Sequence, residues 1–489
     1  MNRDGKQPAS FSLSAEKFLS SDIFLVILGV VVFLWWNKHE KGLFLDAMIY
    51  TTLAKNLAAG GSFWSLTFTT ESMTHFYQHA PLLFWLQALV FRIFSFSPFT
   101  AHLVPLVAST VTVLGVYRIG TIIRNPWTGL FAVFVLLLSP SFLKVGGTPY
   151  IEPLLTMSIV LTVLFYIMAV EKNPGWLLLA GFSAGLGLLS KGPLIFGIVA
   201  VLFLDVLVNK RFKLFKSWQL YASILIFISL PAVWIVPDLI LNKGAWTHYY
   251  LNSQILGSLH GRGNHVKTDY LFYAKQIFLY QPHVMIPFLI GLFAALRGVF
   301  RERYNFLLAA WFLFYFIGLS LMKWQLAHYI HPVFPAVALV TAIFLAKLLE
   351  KRQTEIKLGA KLVLIAAMAF LVIFTNGPNN FRNRDLLTIV DYLQGYKNRD
   401  YGIAVVRRGQ HPWSMAGMIK TYCDKDLKQF GSIAGVVPER ARPLFVIVPR
   451  EAFPKTGTEK KFRVLIATPR YYLLLADPGA WQNFIPEFD

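Results

Sequence analysis

Long apolar runs recur along the chain, separated by short polar stretches. They lie near 22–36, 100–121, 126–145, 153–170, 176–190, 193–209, 219–237, 282–298, 304–322, 329–349 and 359–375. A bilayer-spanning helix needs roughly 20 largely apolar residues, fewer where its ends are buried in protein. The pattern therefore predicts a mainly α, polytopic integral membrane protein with about eleven spans. The first run is followed by Asn37-Lys38-His39-Glu40-Lys41 with no small-residue cleavage site, so it reads as a span rather than a cleaved signal peptide. The pattern changes after the turn sequence Asn376-Gly377-Pro378. Beyond it charged residues are denser, and GIAVV, PLFVIVP and YYLLLAD read as strands. Residues 1–375 are thus expected to form a membrane domain, and 376–489 a small water-soluble α/β domain.

A twelfth run, 82–97, decides the topology, because every later segment inverts if it spans. Basic residues in short loops mark the cytoplasmic side. If 82–97 lies along the membrane surface and the N-terminus is cytoplasmic, 18 Lys/Arg fall in compact inner segments, among them the cluster Lys210, Arg211, Lys213 and Lys216. The outer segments of the membrane domain then hold 11. If 82–97 spans, that cluster faces outward. The chain is therefore expected to carry an interfacial or re-entrant helix at 82–97, a long first outer loop over 37–98, and its soluble domain outside.

Composition agrees and excludes several classes. Hydrophobic residues make up 56% and charged residues 15%, yet the formal charge is +21. Most of that excess is accounted for by topology and by the soluble tail, so it does not point to nucleic acid as a partner. The single cysteine, Cys423, excludes an intrachain disulfide and a CxxC zinc site. GxxxxGK[ST] and HExxH are both absent.

The chosen threading collects all eleven histidines on the outer side, together with a few isolated charges. Ionisable groups at membrane depth are costly and often mark a site. Asp46 stands among apolar neighbours in FLDAMIY; it reads as a base of raised pKa or as a helix cap. His79, just before Pro81, suits a phosphate, a metal or the interface. Glu152 before Pro153 suits a helix start, where an acid complements the dipole, or a second functional acid. Lys191 in LLSKGP interrupts two apolar runs; it is a compact cation for phosphate, or it snorkels at a turn. Lys323, His328, Tyr329 and His331 precede a Pro-rich helix start, and Arg262 and His265 in HGRGNH are anion or metal contacts or a solvated loop.

In order, FLDAMIY, YQHAPLLFWL, PYIEPLL, LLSKGP and LMKWQLAHYIHPVFP resemble the motifs of polyprenyl-phosphate-dependent glycosyltransferases of the GT-C fold. The branch resembled contains the lipid A aminoarabinose transferase and the protein O-mannosyltransferases. The resemblance runs over roughly 40–345 and implies transfer of a sugar, with inversion, from a polyprenyl-phosphate donor to a lipid, glycan or protein acceptor. It places the reaction on the periplasmic face of the bacterial inner membrane. It implies Asp46 as the catalytic base and Glu152 as the second acid. Lys191, His79, Lys323 and Arg262 would meet the donor phosphate; Tyr77, Trp85, His328 and Tyr329 would line the substrate pocket. His265 matches a metal-ligand position, so a divalent cation (Zn, Mg or Mn) is the cofactor it suggests. The residue after Asp46 is Ala47 where relatives often carry Glu, and His79 stands where the aminoarabinose transferase has Lys; sugar and acceptor stay open. The rival class is a lipid or sugar transporter or flippase. It explains the spans but not the long first loop, and it predicts inverted repeats that the sequence does not display.

Overall fold

The computed structural model describes residue 43 and residues 46–481, without 72, 258–268, 299–301, 350–383, 408–411, 439–440 and 454–460. The expected first and last spans (22–36 and 359–375), the 376–378 junction, Arg262 and His265 lie outside the described residues. The helices are α1 (Asp46–Ala58), α2 (Leu82–Phe94), α3 (Pro98–Ile123), α4 (Pro126–Leu137), α5 (Pro140–Gly146), α6 (Glu152–Glu171), α7 (Trp176–Lys191) and α8 (Phe196–Val208). They continue as α9 (Trp218–Ser229), α10 (Ala232–Leu241), α11 (Ala245–Tyr249), α12 (Phe272–Tyr280), α13 (Pro282–Arg297), α14 (Asn305–Leu321) and α15 (Phe334–Leu348). The C-terminal segment adds α16 (Arg384–Gln394), α17 (Trp413–Cys423) and five strands.

Contacts divide the chain into two compact units. One takes Gln78–Leu82 and the described part of Pro105–Pro378; the other takes His39–Tyr77, Leu83–Val104 and the described part of Asn379–Asp489. Most of the first outer loop therefore folds with the C-terminal segment.

In the first unit, proline repeatedly opens helices, at Pro126, Pro140 and Pro282, where a missing N–H costs nothing. Asn125 caps α4 by accepting from the Thr128 amide at 2.9 Å. The core is aliphatic and aromatic, with Val113, Ile159, Val163, Trp311 and Val337 buried. Five described stretches are long and apolar enough to cross a membrane: Pro98–Ile123, Glu152–Glu171, Trp176–Val208, Trp218–Leu241 and Ala327–Leu348. Two bent pairs, α4 with α5 and α12 with α13, raise the number to seven.

The expected eleven are therefore met in part within the described residues, and two differences have physical causes. Trp176–Val208 counts as one stretch by length, yet it doubles back. Lys191, at the end of α7, reaches Glu152 at the start of α6, whereas Asp205 near the end of α8 accepts from Tyr166, fourteen residues further along α6, at 2.6 Å. The chain reverses at Gly192, whose φ of 59° is left-handed. α14 is 17 residues, about 26 Å at ~1.5 Å per residue, slightly short of the hydrocarbon core.

In the second unit, α2 is a 13-residue apolar helix with Leu89, Ile93 and Phe94 exposed. The C-terminal segment forms a five-stranded sheet: β1 (Gly402–Val406), β2 (Leu427–Phe430), β3 (Leu444–Pro449), β4 (Phe462–Ala467) and β5 (Tyr471–Ala476). Its order is β2-β1-β3-β5-β4, with the first two pairings parallel and the last two antiparallel. The three strand-like runs read from the sequence are β1, β3 and β5.

Candidate active site

The α6–α7 hairpin brings an acid and a base together at its open end, away from the 172–175 turn. Glu152 is the first residue of α6, where the helix dipole favours negative charge. Lys191 is the last of α7, where it favours positive charge. The two side chains form a hydrogen-bonded ion pair, with exposures of 10% for Lys191 and 3% for Glu152. Either charge alone would cost several kcal/mol in such surroundings; together, with further polar contacts, the cost is largely offset.

A 3₁₀ segment, Ala327–Val333, supplies the remaining walls. His328 Nε2 lies 3.7 Å from Glu152 Oε1. Its ring is stacked on Tyr150 at 4.4 Å between centroids and 9° between planes. The Lys191 ammonium sits over the Tyr329 ring, 3.6 Å from its centroid, a close cation–π contact. The neighbouring Tyr273 hydroxyl donates to the Leu326 carbonyl at 3.1 Å and ties α12 to the start of this wall.

The other side is held by the left-handed turn at Gly192. A Cβ there would meet the Tyr250 hydroxyl oxygen at 2.2 Å, so only glycine allows Tyr250 to lie against Lys191's end of the helix. From Tyr250 a run of aromatic contacts leads to Trp234 (5.6 Å) and Trp246 (5.3 Å). The Trp246 indole donates to the His79 carbonyl at 3.0 Å. His79 and Lys191 are thus joined by one continuous packed wall within the first unit.

Of the residues singled out in the sequence, Glu152, Lys191, His328 and Tyr329 converge here, and His79 is connected through Trp246. Lys323 is exposed a few residues before the 3₁₀ segment. His331 is fully buried, with Nδ1 2.7 Å from Thr156 Oγ1 and its ring stacked on Phe142, a structural placement. Asp46, Tyr77 and Trp85 belong to the second unit. Asp46 opens α1 and is half-buried. Tyr77 stacks on His75 at 5.7 Å. Trp85 donates its indole N–H to the Phe63 carbonyl at 3.1 Å and packs edge-on against Trp64.

Sequence reasoning passed over Tyr150, Trp246 and Tyr250. Tyr150 is two residues before Glu152, and the other two lie in WTHYY at 246–250; no spacing rule marks a stacking partner. Among the described residues no group of three or more His, Cys, Asp or Glu could hold a metal ion.

Residues 78–235 match the model of the dolichyl-phosphate-mannose-protein mannosyltransferase family. An uncharacterized protein of Aquifex aeolicus is 24% identical over 391 residues, covering 78% of this chain and 75% of its own. The undecaprenyl phosphate-alpha-4-amino-4-deoxy-L-arabinose arabinosyl transferase 1 of Proteus mirabilis is 21% identical, over 64% of this chain and 57% of its own length. The chain thus spans little more than half of that curated relative. The crystal structure of ArnT from Cupriavidus metallidurans bound to undecaprenyl phosphate superposes with a TM-score of 0.70 at 13% identity, covering 93% of this chain and 97% of that one. The oligosaccharyltransferase AglB of Archaeoglobus fulgidus does so with a TM-score of 0.56, again at 13% identity, over 89% and 70%.

The fold is therefore GT-C. The matched family and the Proteus mirabilis relative are by name transferases that take their sugar from a polyprenyl phosphate, and this chain is similar to them. The sugar transferred by relatives is of the arabinosyl or mannosyl type.

Proposed function

We propose that this chain transfers an arabinosyl- or mannosyl-type sugar from a polyprenyl phosphate to a hydroxyl or phosphate acceptor, such as lipid A, another glycan or a protein. The reaction takes place on the periplasmic side of the bacterial inner membrane. The observation that carries the reading is the buried Lys191, held by Glu152 and by the Tyr329 face at a reversal of the chain. A cation fixed in advance in a dry site stabilises charge that develops on a leaving group.

In this reading the acceptor oxygen attacks the anomeric carbon as the bond from that carbon to the phosphate oxygen breaks. The configuration inverts, and the electron pair leaves with the polyprenyl phosphate. Lys191, with His79, takes up the phosphate charge, and Lys323 and Arg262 are further phosphate contacts. Glu152 holds Lys191 and His328 in place. For a hydroxyl acceptor, Asp46 takes the proton; for a phosphate acceptor it orients it. Tyr77, Trp85, His328 and Tyr329 line the path of the substrates. A divalent cation at His265 is part of the proposal, and loss of transfer on EDTA treatment, restored by Zn, Mg or Mn, would support it.

Mass spectrometry of lipid A, core oligosaccharide and envelope proteins, from cells with and without the protein, tests the function. A pentose- or hexose-sized mass that disappears with the protein names sugar and acceptor together. Persistence of every such mass would overturn the reading.

A further inference from the structure

α1, which begins with Asp46, packs on α17 of the C-terminal segment at residues more than 360 positions away. Thr52 Oγ1 accepts or donates at 2.7 Å with Thr421 Oγ1 and lies 3.2 Å from the Gly417 carbonyl. All three residues are buried or nearly so. Lys55 donates to the Thr421 carbonyl at 2.6 Å and pairs with Asp424, which Lys397 also holds at 2.8 Å. Gly417 lies so close to α1 that a Cβ would meet Met48 Cγ at 2.8 Å, Thr52 Oγ1 at 3.3 Å and Phe68 Cε2 at 3.4 Å. A second tie follows immediately, where the Thr70 amide donates to Asp426 at 3.4 Å.

The clamp runs along α1 from Met48 in its first turn, two residues after Asp46, to Lys55 near its end, where the ion pair and the carbonyl bond anchor it. Lys55 is nine residues from Asp46, ~14 Å along a helix at ~1.5 Å per residue, so a tilt of about 10° about Lys55 moves that first turn by about 2 Å. A misplacement of about 1 Å in a reacting group can lower a rate about 100-fold.

We propose that Gly417, Thr421 and Asp424 of the C-terminal segment are positioning residues for Asp46. The soluble segment, on this proposal, acts in catalysis by fixing the angle of the helix that carries the base. This rests on the reading of Asp46 as that base.

The test uses the full chain in membranes. Transfer is read by the mass-spectrometric signal, the phosphate site by titration with undecaprenyl phosphate, and α1 by amide hydrogen exchange. Gly417→Leu should raise exchange across Asp46–Ala58 and lower transfer about 100-fold, with the affinity for undecaprenyl phosphate unchanged within about 2-fold. Gly417→Ala should do the same by less. Thr421→Val should follow, and Thr421→Ser, which keeps the hydroxyl, should restore both readouts; this also guards against a leucine variant that fails to fold. Unchanged exchange in α1 would overturn the clamp. Raised exchange with full transfer, while Asp46→Asn is inactive, would overturn its link to catalysis. Full transfer by Asp46→Asn would instead sink the base assignment, and the exchange data would still decide whether α17 holds α1.

Discussion

Each unit contains a lysine–carboxylate pair near helix ends, and the two pairs differ in almost everything else. Lys191–Glu152 is closed off, at 10% and 3% exposure, between two neighbouring spans 39 residues apart in sequence. Lys55–Asp424 joins segments 369 residues apart, with Asp424 46% exposed and shared with Lys397. Burial makes the first pair a matter of survival for each partner, because a single charge left behind has no water to turn to. Water screens the second pair, so its charge contributes little and its value lies in where it holds α1. The same chemical pair thus serves charge storage in one place and location in the other.

The contrast can be broken most sharply at Lys191. Lys191→Met should strand Glu152 and destabilise the membrane domain by about 3–5 kcal/mol, measured as thermal unfolding in detergent. It should also weaken undecaprenyl phosphate binding at least about 10-fold, which is ~1.4 kcal/mol. The companion variant Glu152→Leu with Lys191→Met removes both charges, and its stability should return to within about 1 kcal/mol of the wild type. Phosphate affinity should stay lost. If affinity returned with stability, Lys191 would be a structural residue. Tyr329→Leu removes the ring under the ammonium and should cost about 1–2 kcal/mol, visible in the same unfolding experiment and absent in the Lys191→Met background.

The smallest effect belongs to the open pair. Burial alone would raise the Asp424 carboxyl, but Lys397 and Lys55 outweigh it and hold it below the usual carboxylate range. Burial pushes the Lys55 ammonium down despite its bond to Asp424, so desolvation wins at that end of the pair. Tyr401, Cys423 and Lys397 are the other titratable groups nearby. A depressed carboxyl stabilises the fold above its unfolded pKa of about 4, and the contribution is lost as pH falls through the folded value. Exchange protection of α1 should therefore hold from pH 7 to about 5 and drop below about 4, by no more than ~1 kcal/mol. The drop should vanish in Asp424→Asn. A wild-type drop near neutral pH would assign it to another group.

Much of the fold was legible because a membrane leaves few choices: apolar runs of the right length become spans, and Glu152, Lys191 and His328 stand out as rare ionisable groups in such company. Their convergence was less legible. Nothing in LLSKGP states that the chain turns back at Gly192 with φ positive, or that Tyr150 offers its face to His328; these depend on pairs of helices meeting. The C-terminal segment was read correctly as α/β from three strand-like runs. Its grip on α1 was invisible, because Gly417 and Thr421 in GMIKTYC carry no periodicity that names a partner 365 residues away.

That separation has a consequence for how the protein is made. α1 leaves the ribosome long before α17, and at about 5–20 residues per second the interval is roughly 20–70 s. During that time the spans between them are inserted while the helix bearing Asp46 lacks its final support. A product that stops short of Thr421 would keep the Lys191 pair and lack the clamp on α1. The support of the helix bearing Asp46 is therefore completed only once the C-terminal segment has been made.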